Sequence, residues 1–202
     1  FSSGFLPAKH QGTVIQPSSK TPIPFLNPPE NIQEITPQSE ADGLGLLKSL
    51  NQLHLAASGG DQWMESRMQS YEDAARLQLL APELFDLGHE TAAVKSLYGL
   101  DSEETRDFGT RCLIARRMLE RDVRFIQIWS GAGGPSNNWD NHSNIHTELP
   151  WIARQVDQPI AGFIKDLKAT GLLDDTLVIW TTEFGRMPFT QGESGRDHNG
   201  GT

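Results

Sequence analysis

Three short polar segments contain the side chains that most often bind metal ions. In the first, residues 130–142 with the sequence SGAGGPSNNWDNH, Asp140 and His142 stand two positions apart. Residues two apart on an extended chain project to the same side, so this carboxylate and this imidazole could hold one ion. His146 follows His142 at the four-residue spacing of a helical chelate. An Asp-x-His loop taken alone is more often a hydrogen-bonded turn, so the pair needs support from elsewhere in the chain.

The other two segments carry a single acid and an adjacent acid–imidazole pair. Glu183 stands at the carboxyl end of the apolar run TLVIWT, where a buried acid would be costly unless it were paired or bound to metal. The alternative is a surface glutamate bonded to Arg186. Asp197 and His198 are adjacent, so on an extended chain they point to opposite sides. They would therefore serve two ions, or one ion and a supporting hydrogen bond.

A βαβ unit is predicted to bring these segments together. Residues 123–129 (VRFIQIW) and 176–181 (TLVIWT) are short β-rich runs, and residues 147–170 between them have helical spacing. Two strands joined in this way are parallel, with a right-handed crossover. Loops at the carboxyl ends of such strands meet at one edge of the sheet. We therefore expect the polar residues that follow the two runs to be neighbours.

The rest of the chain is predicted to form an extended arm and several helices. Residues 1–37 contain seven of the twelve prolines, which indicates an arm, assigned to 1–38, with no core of its own. Residues 39–202 are assigned to part of one α/β domain. Three helices are expected before the βαβ unit: from about Ser39 to the break at Ser58-Gly59-Gly60, from about Asp61 to Leu80 before Pro82, and from about Glu104 to Arg121.

Composition argues against several classes of function. The 202 residues carry a formal net charge of −9 and are 37% hydrophobic, enough for one domain with a core. The acidic balance argues against a nucleic-acid-binding surface, where Lys and Arg would cluster. No run of about 18 apolar residues predicts a membrane span. The 130–142 loop lacks the third glycine of a dinucleotide-binding turn, and the single cysteine, Cys112, allows no internal disulfide.

The three polar segments together make a stronger prediction than any one of them. Gathered at one sheet edge, their carboxylates and imidazoles would repel one another without cations. A site for one or two divalent ions removes that repulsion. Two ions about 4 Å apart could polarise a phosphoryl or sulfuryl oxygen and activate a nucleophile. Arg186 or Arg196 would then bind the anionic oxygens.

Several motifs, in their order and spacing, resemble a bacterial protein family. They are WDNH, GLLDDTLVIW, VIWTTEFGRMP and GRDHN, together with SSGFLPAKHQGT, SYEDAARLQ and RCLIARRMLERDVRFIQIW. This set spans essentially the whole chain and resembles the sulfatase-like family called domain of unknown function 1501, placed in the alkaline phosphatase superfamily. The resemblance implies an α/β, alkaline phosphatase-like fold with a mostly parallel central sheet flanked by helices. It also implies export, commonly by the twin-arginine route, to the periplasm or the cell exterior.

The resemblance also implies roles for individual residues. Asp140 and His142 look like the ligand pair of one metal, Glu183 like the acid after the later strand, and Asp197 and His198 like late ligands. The implied cofactors are divalent ions of zinc, manganese or calcium. The implied reaction is hydrolysis of a phosphate or sulfate ester, either a small anionic ester or a sulfated or phosphorylated glycan.

The sequence departs from the superfamily pattern after the second β-rich run. The usual Asp-His-Gly appears as Glu183-Phe184-Gly185, and because Phe184 cannot ligate, Asp197-His198 would have to compensate. No nucleophile is recognised in the chain, and it is expected to lie before residue 1. We therefore expect a piece of a hydrolase, truncated at both ends and inactive by itself. The alternative is an exported surface or carbohydrate-associated protein that keeps the fold without catalysis.

Cys112 invites comparison with the cysteine that sulfatases convert to formylglycine. Cys112 and Arg116 have the separation of that signature, but Ile114 breaks its central position and the segment has helical spacing. We therefore expect Cys112 to be a core residue.

Overall fold

The computed structural model of the chain describes residues 4–6, 10, 12–17, 19, 22–23, 36–59, 62–131 and 138–201. The chain divides into two compact units, Phe1–Asp86 and Leu87–Thr202. Most of the predicted proline-rich arm lies outside the described residues, as do Asp61 and residues 132–137. No helix among the described residues has the length and apolarity needed to cross a membrane.

The described residues of the first unit form two helices, α1 (Pro37–Ser58) and α2 (Gln62–Phe85). Thr36 caps α1 by accepting a hydrogen bond from the Ser39 amide, while the Ser39 hydroxyl accepts one from the Thr36 amide. The predicted first helix is confirmed. The predicted end of the second helix is wrong, because α2 continues through Pro82. Proline removes only one donor, and the Pro82 carbonyl still accepts from the Asp86 amide at 3.1 Å.

The second unit is built on three helices, α3 (Ala92–Leu97), α4 (Glu103–Leu119) and α5 (Ile145–Ala169). The predicted helices near 104–121 and 147–170 are therefore confirmed as α4 and α5. Two 3-10 turns, Leu87–His89 and Leu172–Asp175, lie before α3 and after α5. The buried side chains of this unit include Tyr98, Cys112, Leu113, Ile152, Val156 and Leu167. Burial raises the pKa of the Cys112 thiol to about 12, and this cysteine is a core residue as expected.

Ionic contacts tie α4 to α5 and to the turn before α3. The Arg116 guanidinium donates to Glu90 at 2.8 Å and to Glu120 at 2.6 Å, and its Nε lies 3.2 Å from Asp166. The members of this group, here called the Arg116 network, are Tyr98, Glu90, Arg116, Arg117, Glu120 and Asp166. Tyr98 Oη donates to Asp166 at 2.8 Å, and Arg117 donates to Glu90 at 2.7 Å. The helices of this unit are therefore held by paired charges as well as by apolar contacts.

The two predicted β-rich runs do not form strands in this structure. Residues 123–129 and 176–181 have no ladder partner among the described residues, and large apolar side chains in them are exposed, Phe125 by 84% and Leu177 by 85%. A strand requires a neighbouring backbone to take its hydrogen bonds, which β propensity does not supply. The predicted βαβ unit thus has its helix and lacks its two strands. An alkaline phosphatase-like parallel sheet stays a prediction.

Strand pairing among the described residues occurs instead in the C-terminal segment. β1 (Gly185–Arg186) pairs antiparallel with β2 (His198–Asn199), so that Arg186 faces His198 in the register. The Met187 amide extends the pairing by donating to the Asp197 carbonyl at 2.9 Å. This short hairpin places the polar residues discussed below.

Candidate metal centre

Two loops of the second unit dock against each other to build the candidate site. The Arg196 amide donates to the Asn141 carbonyl at 2.9 Å, and the Ser194 hydroxyl donates to the Ser143 carbonyl at 2.8 Å. Asn141 is buried, and its side-chain amide donates to the Asn138 carbonyl and to Glu148, both at 3.1 Å. These bonds bring residues 138–144 next to residues 191–198.

Gly195 is required for this docking. A Cβ atom at Gly195 would overlap the His142 carbonyl oxygen and lie 2.6 Å from the Ser143 amide nitrogen. Those contacts are backbone atoms that cannot rotate away, so any larger residue would push the two loops apart. The glycine before Arg196 thus has a steric role that its place in GRDHN does not reveal.

The docked loops bring one carboxylate and two imidazoles into direct contact. Asp140 Oδ1 lies 2.8 Å from His142 Nε2 and 2.9 Å from His198 Nε2. The two Nε2 atoms are 3.0 Å apart. Asp140, His142 and His198, here called the Asp140 cluster, are the group that could hold a metal ion among the described residues. Asp140 and His198 are exposed and His142 is half-buried, so the cluster is open to solvent on one side.

Arg186 balances the charge of this cluster. Its Nη2 donates to Asp140 Oδ1 at 2.5 Å, while its Nη1 donates to the Arg196 carbonyl at 3.1 Å. Hydrogen bonding from His198, and then from Arg186, lowers the pKa of the Asp140 carboxyl to about 2, against a small opposing effect of burial. Asp140 is therefore ionised at neutral pH and available as a ligand.

Two further side chains orient the imidazoles. The amide oxygen of Gln191 lies 2.6 Å from His142 Nδ1, on the opposite side of the ring from the cluster. The Phe184 ring packs on the His198 ring, with centroids 4.2 Å apart and planes inclined by 38°. No sequence pattern indicates the contact of Gln191 with His142. The sequence shows Phe184 only as a residue that cannot bind a metal ion, and gives no sign that its ring packs on His198.

Comparison with models of known protein families identifies the family of this chain. A family model described as "Protein of unknown function (DUF1501)" matches residues 1–202. The chain belongs to the DUF1501 family. No curated protein and no solved structure matches it. The DUF1501 assignment predicted from the motifs is thus confirmed, while the sulfatase-like character and the place in the alkaline phosphatase superfamily stay predictions.

The DUF1501 chain unites some of the predicted ligands and separates others. Asp140, His142 and His198 meet in the cluster. Asp197 lies beside it, because its Oδ1 is 3.9 Å from His142 Nδ1 and accepts from the His198 amide at 2.8 Å. Glu183 is exposed and outside the cluster, since the strand expected to aim it is not formed. The predicted ligand His146, in the first turn of α5, is also exposed and outside it.

The two arginines predicted to bind anions differ in the DUF1501 chain. Arg186 contacts the cluster directly through Asp140. Arg196 instead donates through Nη1 to the Gly195 carbonyl at 2.9 Å, and its own carbonyl accepts from Arg186. Arg186 is therefore the better placed of the two to meet an anion bound at the cluster.

The donor set suits a transition-metal ion. Imidazole and carboxylate groups bind zinc and manganese at about 2.0–2.2 Å. Donors about 2.1 Å from one ion would be about 3.4 Å apart at the tetrahedral angles usual for zinc, and about 3.0 Å apart at right angles. The observed separations of 2.8, 2.9 and 3.0 Å match the right-angle spacing, so tetrahedral zinc would require the three side chains to spread slightly. Three protein ligands and an open side are the pattern of a catalytic site, which keeps a position for water or substrate.

Proposed function

We propose that this DUF1501 chain is part of a metal-dependent hydrolase that acts on phosphate or sulfate esters, in the alkaline phosphatase superfamily. One observation carries the proposal: a carboxylate oxygen and two imidazole nitrogens from distant parts of the sequence lie within 2.8–3.0 Å of one another. Convergence of three such donors at a solvent-open position is the usual arrangement of a catalytic metal site.

The residues of the site would have separate roles in binding the metal ion and the substrate. Asp140, His142 and His198 would hold a divalent ion, which supplies Lewis-acid polarisation of an ester oxygen when bound. Two imidazoles favour zinc or manganese over calcium, which prefers oxygen ligands. Arg186, anchored on the Arg196 carbonyl, would donate its remaining N–H groups to anionic oxygens of the substrate.

Substrate class and location extend the proposal and rest on the motif resemblance. A small anionic ester, or a sulfated or phosphorylated glycan, fits a site that pairs a cation with an arginine. The resemblance implies export, so we propose a periplasmic or extracellular site of action. The nucleophile would come from residues other than those of the Asp140 cluster.

Calorimetric titration with Zn²⁺ and Mn²⁺ tests the metal site. We expect the chain to bind one ion per molecule, and Asp140→Asn or His198→Ala to weaken binding at least tenfold, because each removes a ligand. His54→Ala is the matched control, since this exposed histidine of α1 lies outside the cluster. Absence of stoichiometric binding, or equal affinity in all four proteins, would refute the proposed function.

A second candidate function is a non-catalytic, exported surface or carbohydrate-associated protein. The ion pair between Arg186 and Asp140 supports it, because the guanidinium already supplies a positive charge to the cluster. Under this alternative the pair is structural, so Arg186→Gln should destabilise the chain without changing its weak affinity for Zn²⁺. Under the hydrolase proposal the same substitution should tighten Zn²⁺ binding, since it removes a competing cation from Asp140.

A further inference from the structure

The two ring nitrogens of His142 have different surroundings. Nε2 faces the cluster, 2.8 Å from Asp140 Oδ1 and 3.0 Å from His198 Nε2. Nδ1 faces the Gln191 amide oxygen at 2.6 Å, much closer than the 3.9 Å to Asp197 Oδ1. A carbonyl oxygen only accepts hydrogen bonds, so with this orientation of the Gln191 amide the contact takes a proton on Nδ1. The Asp140 oxygen that faces Nε2 is also an acceptor, so in the ion-free chain both ring nitrogens can carry a proton, and a bound ion would displace the one on Nε2.

A proton on Nδ1 decides which nitrogen can bind an ion. Neutral imidazole carries a single N–H group, so protonation of Nδ1 leaves the lone pair on Nε2, the nitrogen that points into the cluster. With the opposite amide orientation, the Gln191 NH₂ group would donate to Nδ1. The proton would then sit on Nε2 and block it as a ligand.

The backbone holds Gln191 in place for this role. The backbone amide of Gln191 donates to the backbone carbonyl of Gly195 at 3.0 Å. The backbone carbonyl of Gln191 accepts from the backbone amide of Gly195 at 2.9 Å. This tight turn is docked on residues 141–143 through Ser194 and Arg196. A substitution of the Gln191 side chain would leave those backbone bonds in place, so the effect of the amide group can be measured by itself.

We propose that Gln191 is a positioning residue that accepts the Nδ1 proton of His142 and thereby makes Nε2 the metal ligand. The inference rests on the proposed metal site. Partners of this kind fix both the tautomer and the ring orientation of ligating histidines, and their loss typically lowers metal affinity 10- to 100-fold. His198 is oriented differently, by the Phe184 ring, so the effect of Gln191 should be confined to His142.

Two substitutions and one control test the inference by Zn²⁺ calorimetry. Gln191→Leu keeps a similar volume but removes the acceptor, and should weaken Zn²⁺ binding about tenfold or more. Gln191→Glu restores an acceptor and should bind at least as tightly as the native chain. Glu193→Gln changes charge in the same turn, at an exposed residue outside the cluster, and should leave affinity within about twofold. Native affinity in Gln191→Leu would overturn the inference.

Nitrogen-15 spectra of the histidine side chains give a readout that a loss of stability would not mimic. In the Zn²⁺-loaded chain we expect His142 to carry its proton on Nδ1, at a hydrogen-bonded shift that changes in Gln191→Leu while the His198 signals stay in place. An unprotonated Nδ1 contradicts the inference. If the native chain binds no Zn²⁺, the proposed function fails, but the spectrum of the ion-free chain still tests the contact between His142 and Gln191. A hydrogen-bonded Nδ1–H signal that changes in Gln191→Leu supports this contact. Absence of that signal refutes it.

Discussion

The Arg116 network and the Asp140 cluster use similar side chains for different purposes. In the network, the Arg116 and Glu90 side chains are only 10% and 11% exposed, and each carboxylate faces a guanidinium or hydroxyl donor. In the Asp140 cluster, a single exposed oxygen receives Arg186, His142 and His198 together. The network spreads its charges over matched partners, whereas the cluster concentrates its donors at one point.

That difference separates a structural ion network from a binding site. Buried charges that are paired with opposite charges hold packed helices and are closed to a ligand. Metal-ligating atoms that converge at an open surface stabilise one another only weakly, and a bound cation would stabilise them more. The contrast predicts that substitutions in the network change stability and that substitutions in the cluster change binding.

The largest effect is expected from Arg116→Met. The substitution leaves Glu90 and Asp166 with fewer partners in a buried setting, so the free energy of unfolding should fall by about 3 kcal/mol or more. Urea unfolding followed by circular dichroism measures it. Arg154→Met is the matched control, because its ion pair with Glu104 is 61% and 40% exposed and should contribute less than about 1 kcal/mol. Equal losses in the two variants would remove the distinction between buried and exposed pairs.

An intermediate effect is expected from Gly195→Ala, which should lower both the stability of the chain and its affinity for Zn²⁺. The added Cβ would meet the His142 carbonyl, so the two loops should separate at a cost of about 1–3 kcal/mol. Because this docking helps to bring Asp140, His142 and His198 together, Zn²⁺ affinity should fall at least tenfold. Gly200→Ala has open space around its Cβ and serves as the control. Retained Zn²⁺ affinity in Gly195→Ala would show that docking is not needed for the site.

The smallest effect concerns acid stability without metal. Burial raises the pKa of Glu90, but hydrogen bonds and attraction from Arg117 and Arg116 outweigh it and lower the pKa below the usual value, and the pKa of Asp140 is lowered to about 2. A carboxyl with a lowered folded pKa stabilises the fold above its unfolded pKa of about 4, and loses that contribution as the pH falls. Urea midpoints with chelator between pH 5 and pH 2 should show this loss. Asp140→Asn should change this loss of unfolding free energy by less than about 1 kcal/mol, since Asp140 is exposed. Glu90→Gln should change the loss by more. The reverse order would contradict the comparison.

The helices could be predicted from the sequence because their signals are local. Apolar spacing and the cap at Thr36 are properties of a few neighbouring residues, and α1, α4 and α5 lie where that spacing predicts them. The runs at 123–129 and 176–181 have equally clear β composition, yet they form no strand. A strand depends on hydrogen bonds to a distant backbone, which no local pattern provides.

The candidate site was predictable in its ligands and not in its support. The two-residue spacing of Asp140 and His142 and the adjacent pair Asp197-His198 contain the three members of the cluster. Gln191 carries no signal of its own, because its role depends on a turn closed by Gly195 and docked on a loop about 50 residues earlier in the chain. Glu183 lies outside the cluster because its expected position required a strand, and its role as a ligand stays a prediction.

Anomalous X-ray scattering from crystals of the chain soaked in Zn²⁺ would locate the ion directly. We expect a zinc peak about 2.0–2.2 Å from Asp140 Oδ1 and from the Nε2 atoms of His142 and His198, with Arg186 no longer bonded to that oxygen. A cluster without a peak, in which Arg186 remains paired with Asp140, would contradict this expectation.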